Sequence, residues 1–322
     1  MRLKNKNKWN ELYDVEHPPL VGFKDGEMQK VYDSSSFGVA SNYSKLKRLL
    51  LHRPSEELNV VKENPVFWLW DGVPNLEEAR KEWDAYVDLL KKNGVEIEIL
   101  EEAYPRCAKQ YFCRDQATMT PWGVIISRMA LTQRWGEEQL FAKKMWELQI
   151  PVLMMVTGDG IFEGGNYIPL DKDTVVIGRG IRCNDSGISQ VENLLELMDI
   201  DSIIIDIPSY LEHYGGYVHA DVCLNPIDKD LALVYPEGLP YWFLNELRDR
   251  GFDMIEVERE EVLKMGTNVL PLDARKVVLA EENPIVKKRL EDIGVKVIET
   301  RLNELRKGGG GPRCLVMELL RV

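Results

Sequence analysis

The sequence is poor in histidine, in paired cysteines and in long apolar runs. It has four histidines, and its five cysteines are an odd number without a CxxC pair, which is typical of reduced thiols rather than of a disulfide framework. No apolar stretch approaches the roughly 20 residues of a membrane span, and the opening MRLKNKNKWNELYD lacks the apolar core of a signal peptide. We therefore expect a cytoplasmic protein with no membrane partner.

Positive charge is also scarce. The 322 residues include 41 Lys and Arg against 53 Asp and Glu, a formal net charge of −12. Such a surface repels phosphate backbones, so we do not expect nucleic acid as a partner. A cationic small molecule suits this charge better. The oligomeric state stays open, and a homo-oligomer is compatible with the sequence.

A repeated unit organises the chain after residue 40. Five times a short apolar strand leads into a helical pattern and then into a second apolar strand. The first strands are predicted at 49–54, 124–128, 175–179, 231–236 and 277–280, and the second strands at 95–100, 151–155, 202–207, 254–257 and 295–299. Gly94, Gly251 and Gly294 lie where helix C-caps need a left-handed residue.

These units predict an α/β fold. A strand–helix–strand unit closes as a right-handed crossover with parallel strands, and five such units favour a closed five-fold arrangement, with an open doubly wound sheet as the alternative. Residues 41–322 are expected to form a single catalytic domain. Residues 1–40 are polar and are expected to form an N-terminal arm or flap.

Polar residues cluster in the irregular stretch after each second strand. If the five units surround an axis, these loops converge on one pocket and bring together a thiol, an imidazole and three carboxylates. The stretches are Phe-Cys-Arg-Asp at 112–115, Glu-Gly-Gly-Asn at 163–166, His-Ala-Asp at 219–221, Gly-Thr-Asn at 266–268 and Gly-Gly-Gly-Gly-Pro-Arg-Cys at 308–314. Taken singly, each residue also has an ordinary structural explanation, such as a buried thiol or a solvated loop acid.

Other catalytic motifs are missing from the sequence. There is no P-loop, no GxGxxG after a strand, no HExxH and no GxSxG. Asp115, Glu163, His219 and Asp221 are metal ligands by residue type, but a single histidine makes a poor zinc site. We therefore expect neither a metal nor a cofactor.

The motifs FCRD, EGGN, HAD and GGGGPRC, in this order, resemble the guanidine-modifying enzymes: arginine deiminases, dimethylarginine dimethylaminohydrolases and amidinotransferases. The resemblance covers residues from about 40 to 322. It implies a five-bladed, pseudo-symmetric α/β propeller of the pentein type. By position, Cys314 resembles the nucleophile and His219 the general acid and base. Asp115 and Glu163 resemble the carboxylates that grip the guanidinium, and Asp221 resembles a further acid at the reacting nitrogen.

The same resemblance implies a set of substrate-binding residues. Arg134 and Arg182 lie 19 residues after Asp115 and Glu163, the spacing at which the arginine deiminases clamp the substrate carboxylate. Asp71, in Trp-Asp-Gly at 70–72, resembles another substrate contact, and Asn166 and Asn268 complete the predicted set.

Two positions depart from the arginine deiminase pattern. Asn166 replaces the aspartate of EGGD, and Lys109 replaces an asparagine six residues before Asp115 that helps to hold the amino-acid end of the substrate. These departures affect the choice of substrate rather than the chemistry at the guanidine carbon.

The resemblance implies a cysteine-dependent hydrolase that acts on arginine or an arginine derivative through a covalent thiouronium intermediate. An amidinotransferase, in which an amine replaces water, is the alternative reaction for the same residues. A binding protein without activity is a third hypothesis, but it would be expected to have lost Cys314, His219 or Glu163, and the sequence keeps all three.

Overall fold

The computed structural model describes residues 31–208 and 218–322, which form an α/β fold of short strands and helices. The strands are β1 (Leu46–His52), β2 (Glu96–Leu100), β3 (Ala117–Thr120), β4 (Gly123–Ile126), β5 (Val152–Met155), β6 (Tyr167–Pro169), β7 (Thr174–Arg179), β8 (Asp201–Asp206), β9 (Leu224–Asp228), β10 (Leu231–Val234), β11 (Asp253–Glu256), β12 (Leu270–Asp273), β13 (Lys276–Ala280), β14 (Lys296–Thr300) and β15 (Met317–Arg321). The helices are α1 (Leu76–Lys92), α2 (Glu137–Glu147), α3 (Asp185–Glu196), α4 (Tyr241–Asp249), α5 (Arg259–Val262), α6 (Pro284–Asp292) and α7 (Asn303–Arg306).

The strands form five mixed sheets of three strands each. The sheets are β15–β1–β2, β3–β4–β5, β6–β7–β8, β9–β10–β11 and β12–β13–β14. In every sheet the central strand pairs in parallel with the strand that follows the helix and antiparallel with the third strand. The predicted first and second strands of all five units are therefore confirmed. The alternative of one open doubly wound sheet is wrong, because the described strands hydrogen-bond only in threes.

The third strand of each sheet was not predicted. Strands β3, β6, β9 and β12 each run into the central strand through a short hairpin, and β15 pairs with β1 at the other end of the chain. These strands are three to five residues long and almost wholly buried. Because both faces are covered, most of them do not alternate between apolar and polar residues. Ala117–Thr120 does alternate, but strands of three to five residues are too short for alternation to identify them.

The predicted helix C-caps are confirmed. Gly94, Gly251 and Gly294 have φ of 79°, 86° and 80°, the left-handed region that glycine enters without a steric penalty. Gln149 and Asp199 lie at the corresponding ends of α2 and α3, and both have φ of 55°. The same turn is therefore kept in all five units, with glycine in three of them.

Four clusters of buried apolar side chains lie between neighbouring sheets. The first sheet packs on the second through Leu50 and Val124, and the second packs on the third through Ile125 and Ile177. A larger cluster joins the third, fourth and fifth sheets. The last cluster joins the fifth sheet to the first through residues such as Val278 and Leu51.

The body begins before the boundary that was expected at residue 40. Phe37 and Val39 are buried in a core cluster with Leu319, and the backbone of Gly38 exchanges hydrogen bonds with Leu319 and Arg321 at 2.8 and 3.0 Å. Residues 1–30 of the expected arm lie outside the described residues. No helix in the described part of the chain is long and apolar enough to cross a membrane, and all five cysteines are unpaired and buried.

The left-handed turn after α4 gives a prediction about stability. Gly251→Ala forces a Cβ into a left-handed conformation with open space around it, so the loss should be purely conformational, about 1 kcal/mol in the free energy of unfolding. Gly251→Asn should lose less, since asparagine tolerates this region. Urea unfolding at neutral pH measures both variants, and an unchanged midpoint for the alanine variant would contradict the argument.

Candidate active site

Seven of the ten predicted site residues lie on five equivalent turns, whereas Asp71, Arg134 and Arg182 lie elsewhere. In each turn the N–H of the fourth residue donates to the carbonyl of the first residue, at 3.0 to 3.3 Å. Each turn is followed within three residues by the third strand of its sheet, which anchors it. The turns are 112–115, 163–166, 219–222, 265–268 and 311–314. Glu163 and His219 occupy the first position of this turn, and Asp115, Asn166, Asn268 and Cys314 occupy the fourth.

One cavity is lined by the central residues of the predicted site. Cys314, His219, Asp115, Arg134 and Arg182 all line it. The other lining residues are Lys109, Phe112, Val218, Val222, Gly308 and Gly309. The thiol, the imidazole, one carboxylate and both arginines therefore share one pocket, although they come from distant parts of the chain.

His219 lies between two carboxylates. Its Nε2 is 2.8 Å from Glu163 Oε2, and its Nδ1 is 3.6 Å from Asp115 Oδ1. Burial alone would lower the pKa of His219, but the neighbouring Asp115 and Glu163 outweigh it and raise the pKa above its ordinary value. The imidazole is thus suited to carry a proton that it can donate.

Glu163 is fully buried, and its carboxylate is fully engaged. Oε1 accepts hydrogen bonds from the Ala130 N–H at 2.9 Å and from Arg182 at 3.3 Å, while Oε2 contacts His219. Burial opposes the ionised form, but Arg182 and His219 outweigh it and hold the pKa of Glu163 well below its usual range. This carboxylate orients the imidazole and has little capacity left for a ligand.

Asp115 is hydrogen-bonded through one oxygen only, and the other oxygen has His219 Nδ1 at 3.6 Å as an ion-pair contact. Its Oδ2 accepts a hydrogen bond from Arg134 at 2.6 Å, whereas Oδ1 is buried and has no hydrogen-bond partner among the described residues. Arg134 also donates to Glu137 through Nε and the terminal nitrogen, at 2.9 and 2.7 Å. A buried acceptor without a donor is costly, so Asp115 Oδ1 offers a place for an N–H group of a ligand.

Cys314 is held by the side chain of Asn268. The Asn268 carbonyl oxygen accepts from the Cys314 N–H at 3.2 Å and lies 3.3 Å from Sγ. Burial, together with Asp221 and Asp115, raises the pKa of the Cys314 thiol well above its ordinary value. This raised pKa favours the protonated thiol, and a bound cation would favour the thiolate.

Five of the predicted residues do not line the cavity: Glu163, described above, and four others. Asp221 is buried against Arg114 and Arg313, at 3.8 and 3.7 Å. Asn166 accepts the Ala220 N–H at 3.0 Å and so holds the turn that carries His219. Asn268 supports Cys314. Asp71 is exposed and is tied by its N–H to the carbonyl of Lys307, next to the lining glycines.

Asp115, Glu163 and His219 also present one ligand atom each within 4.8 Å of one another. This is the one group of metal-ligating side chains in the described part of the chain. Both carboxylates already have an arginine partner, at 2.6 and 3.3 Å.

Sequence reasoning missed two features of this site. One is Glu137, which is fully buried and binds Arg134; burial raises the pKa of Glu137 to about 7 against the opposing effect of Arg134. The i to i+3 spacing of Arg134 and Glu137 was a visible signal of this pair. The other is the support of Cys314 by Asn268, which joins residues 46 positions apart and has no local signal.

The sequence profile described as "N,N dimethylarginine dimethylhydrolase, eukaryotic" matches residues 72–321. The chain belongs to this family. It is therefore a member of the guanidine-modifying superfamily and a hydrolase of the dimethylarginine dimethylaminohydrolase and arginine deiminase type.

Individual relatives agree with this family. The uncharacterized protein YkgA of Bacillus subtilis is 28% identical over 87% of this chain and 94% of its own length. The arginine deiminase of Borrelia recurrentis is 23% identical over 88% and 97%. The amidinotransferase alternative receives no support from these relatives.

Two solved structures establish the fold. A serine-for-cysteine mutant of dimethylarginine dimethylaminohydrolase from Pseudomonas aeruginosa, in complex with citrulline, has a TM-score of 0.71 at 20% identity; the match covers 86% of this chain and all of that chain. The N-terminal domain of ArgZ, an arginine dihydrolase of cyanobacteria, has a TM-score of 0.71 at 21% identity over 84% and 97%. The chain thus has the α/β fold of this superfamily.

The turn at 163–166 gives a prediction about the imidazole. A Cβ on Gly165 would lie 2.8 Å from His219 Cγ and 3.0 Å from Asp115 Oδ1. Gly165→Ala should therefore displace His219 and lower kcat on a guanidino substrate about 100-fold, the usual effect of an ångström-scale misplacement. Gly251→Ala is the matched control, since it should lower stability and leave kcat unchanged. Equal kcat in Gly165→Ala and Gly251→Ala would contradict the inference that a Cβ on Gly165 displaces His219.

The ion pair of His219 gives a prediction about pH. Protonated His219 stabilises the fold fully below the unfolded-state pKa of about 6.5, and this stabilisation is lost as the pH rises through the higher folded-state pKa. Glu163→Gln removes the hydrogen-bonded charge, so the pKa of His219 should fall. NMR titration of the imidazole in both proteins measures the shift, and identical titration curves would show that Glu163 does not control His219.

Proposed function

We propose that the protein is a cysteine-dependent hydrolase that acts on the guanidine group of arginine or an arginine derivative. The proposal rests on one observation above all. The unpaired Oδ1 of Asp115 shares a pocket with Cys314 and His219, so an acceptor for a guanidinium N–H, a nucleophile and a proton donor surround the same space.

The guanidinium would bind with its N–H groups toward Asp115. A carboxylate that accepts these bonds fixes the plane of the guanidinium and opposes charge delocalisation as its carbon becomes tetrahedral. The positive charge would also offset Asp221 and Asp115, which together with burial raise the pKa of the Cys314 thiol. We therefore infer that the substrate helps to generate the thiolate that attacks it, with the proton of Cys314 passing to solvent.

His219 would move the protons of both half-reactions. After Cys314 Sγ bonds to the guanidine carbon, the departing nitrogen takes a proton from the imidazolium, and the C–N bond breaks to leave a thiouronium on Cys314. The neutral imidazole then accepts a proton from water. The resulting hydroxide attacks the same carbon, the C–S bond breaks, and the urea-type product leaves.

The buried residues around the pocket would act by positioning His219 and Cys314. Glu163 holds the Nε2 side of His219, Asn268 holds the backbone and thiol of Cys314, and Asn166 holds the Ala220 N–H next to His219. We propose that Glu163 orients the imidazole rather than gripping the guanidinium, as its oxygens are already engaged. Asp221, which lies outside the cavity lining, would act on the thiol through its charge.

The non-reacting end of the substrate would meet Arg182. Arg134 already binds Asp115 and Glu137, so its positive charge is largely neutralised by these two carboxylates. Arg182 contacts Glu163 through one nitrogen, at 3.3 and 3.5 Å, and lines the cavity. Of the two predicted arginines, Arg182 is therefore the better placed to meet a substrate carboxylate.

We further propose that residues 41–322, together with the buried segment at 37–39, form one catalytic domain whose five sheets close into a five-bladed, pseudo-symmetric ring around this pocket. Two features support this arrangement. The five turns of the site are equivalent in their hydrogen bonding, and one buried cluster joins the last sheet to the first.

Replacing the nucleophile tests the chemistry. Cys314→Ser should abolish turnover, because a neutral hydroxyl is a far weaker nucleophile than a thiolate, while substrate binding should persist. Acid quenching of the wild-type protein during turnover should trap a mass adduct on the peptide that contains Cys314. Cys113→Ser, at a buried thiol outside the cavity lining, is the matched control and should keep both turnover and the adduct. Normal turnover by Cys314→Ser would refute covalent catalysis.

A further inference from the structure

Lys109 is a cation in the wall of the pocket that the proposed chemistry does not use. Its Nζ donates to the carbonyl of Leu69 at 2.9 Å and to the carbonyl of Gly308 at 2.6 Å, and the residue lines the cavity with Cys314. An ammonium group has three protons. Two are held by neutral carbonyls of separate loops, which leaves one proton for a ligand.

Lys109 differs from the two arginines beside it in how its positive charge is balanced. Arg134 pairs with Asp115 at 2.6 Å, and Arg182 pairs with Glu163 at 3.3 Å. Lys109 has no carboxylate within 4.0 Å among residues 31–208 and 218–322. It is therefore the pocket cation whose charge the described part of the protein leaves unbalanced.

We propose that Lys109 determines specificity by binding a carboxylate on the non-reacting end of the substrate, which makes the substrate class guanidino carboxylic acids. This inference rests on the proposed function and names the second group that the substrate must carry. A carboxylate would accept the remaining proton of Lys109 and would lie near Arg182 in the same cavity.

The electrostatics of the pocket also favour an anion beside Lys109. Burial, with repulsion from Arg134 and Arg182, lowers the pKa of Lys109 to about 7. Asp115 and Glu137 act in the opposite direction but do not compensate. A bound anion would relieve this repulsion and hold Lys109 in its charged form.

A structural role is the competing explanation, because Lys109 also ties the loop at Leu69 to the glycine-rich loop at Gly308. The two explanations predict different effects on related substrates. Loss of a loop tie weakens turnover of every guanidino substrate alike. Loss of a carboxylate partner weakens only the substrates that carry the carboxylate.

The test compares three guanidino compounds in wild type, Lys109→Met and Lys109→Arg. Arginine has a carboxylate and an amine, 5-guanidinopentanoate has the carboxylate alone, and agmatine has the amine alone. In wild type, kcat/KM should be about 10- to 30-fold higher for both carboxylates than for agmatine, the effect of one charged partner at a partly buried site. Lys109→Met should reduce this ratio to within about threefold of one, and Lys109→Arg should retain most of it.

Lys144→Met is the matched control, because Lys144 is also half-buried but lies outside the cavity lining; it should leave the ratio unchanged. Thermal unfolding of each variant shows whether the protein is folded, and the ratio within one variant is independent of the folded fraction. If Lys109→Met keeps the wild-type ratio of kcat/KM values, the proposed role of Lys109 is wrong. A Cys314 adduct in the same experiment would still support the proposed function. Absence of turnover and of an adduct with all three compounds would overturn both.

Discussion

The pocket depends on the burial of the Glu163 carboxylate among three different donors. One oxygen takes the Ala130 N–H and Arg182, and the other takes His219. A carboxylate stays ionised away from water only when its lone pairs accept hydrogen bonds and its charge is paired with positive groups. The same contacts that keep Glu163 ionised therefore fix the position of His219 and bring Arg182 to the cavity. Removing any one of these partners leaves a buried charge that the others must accommodate.

Charge balance then divides the pocket into an engaged part and an available part. Glu163 with Arg182, and Arg134 with Glu137 and one oxygen of Asp115, are matched within the protein. Two lining residues keep some capacity for a ligand. The second oxygen of Asp115 has no hydrogen-bond partner among the described residues, and the ammonium of Lys109 has no carboxylate partner among them. Under the proposed function, a ligand that is positive at one end and negative at the other would satisfy both. The net charge of −12 attracts cations in general, whereas this local pair would select among them.

The sequence predicts the repeated part of this structure better than the part that differs between repeats. Five parallel strand pairs and the turns at Gly94, Gly251 and Gly294 follow from apolar runs and helix C-cap signals, which are local. The buried third strands are only three to five residues long, too short for an alternating pattern to identify them. In addition, β15 pairs with a strand some 270 residues earlier in the chain, and no local signal predicts that pairing. The resemblance brought Cys314, His219 and Asp115 together by motif. It could not show that Glu163 is fully engaged, because that depends on the Ala130 N–H and on side chains from other units.

The five turns explain why one local structure can carry such different chemistry. Each turn is held at both ends by backbone hydrogen bonds, through its own carbonyl and through the buried strand that follows. The side chains at the first and fourth positions are therefore not needed to maintain the turn, and they can vary among Phe112, Glu163 and His219, or among Asp115, Asn268 and Cys314. Where a turn does need help, a side chain of another unit supplies it, as Asn268 does for Cys314. This freedom is limited where a side chain on a turn also makes a buried contact. Removing Asn166, for example, would leave the buried N–H of Ala220 without its acceptor.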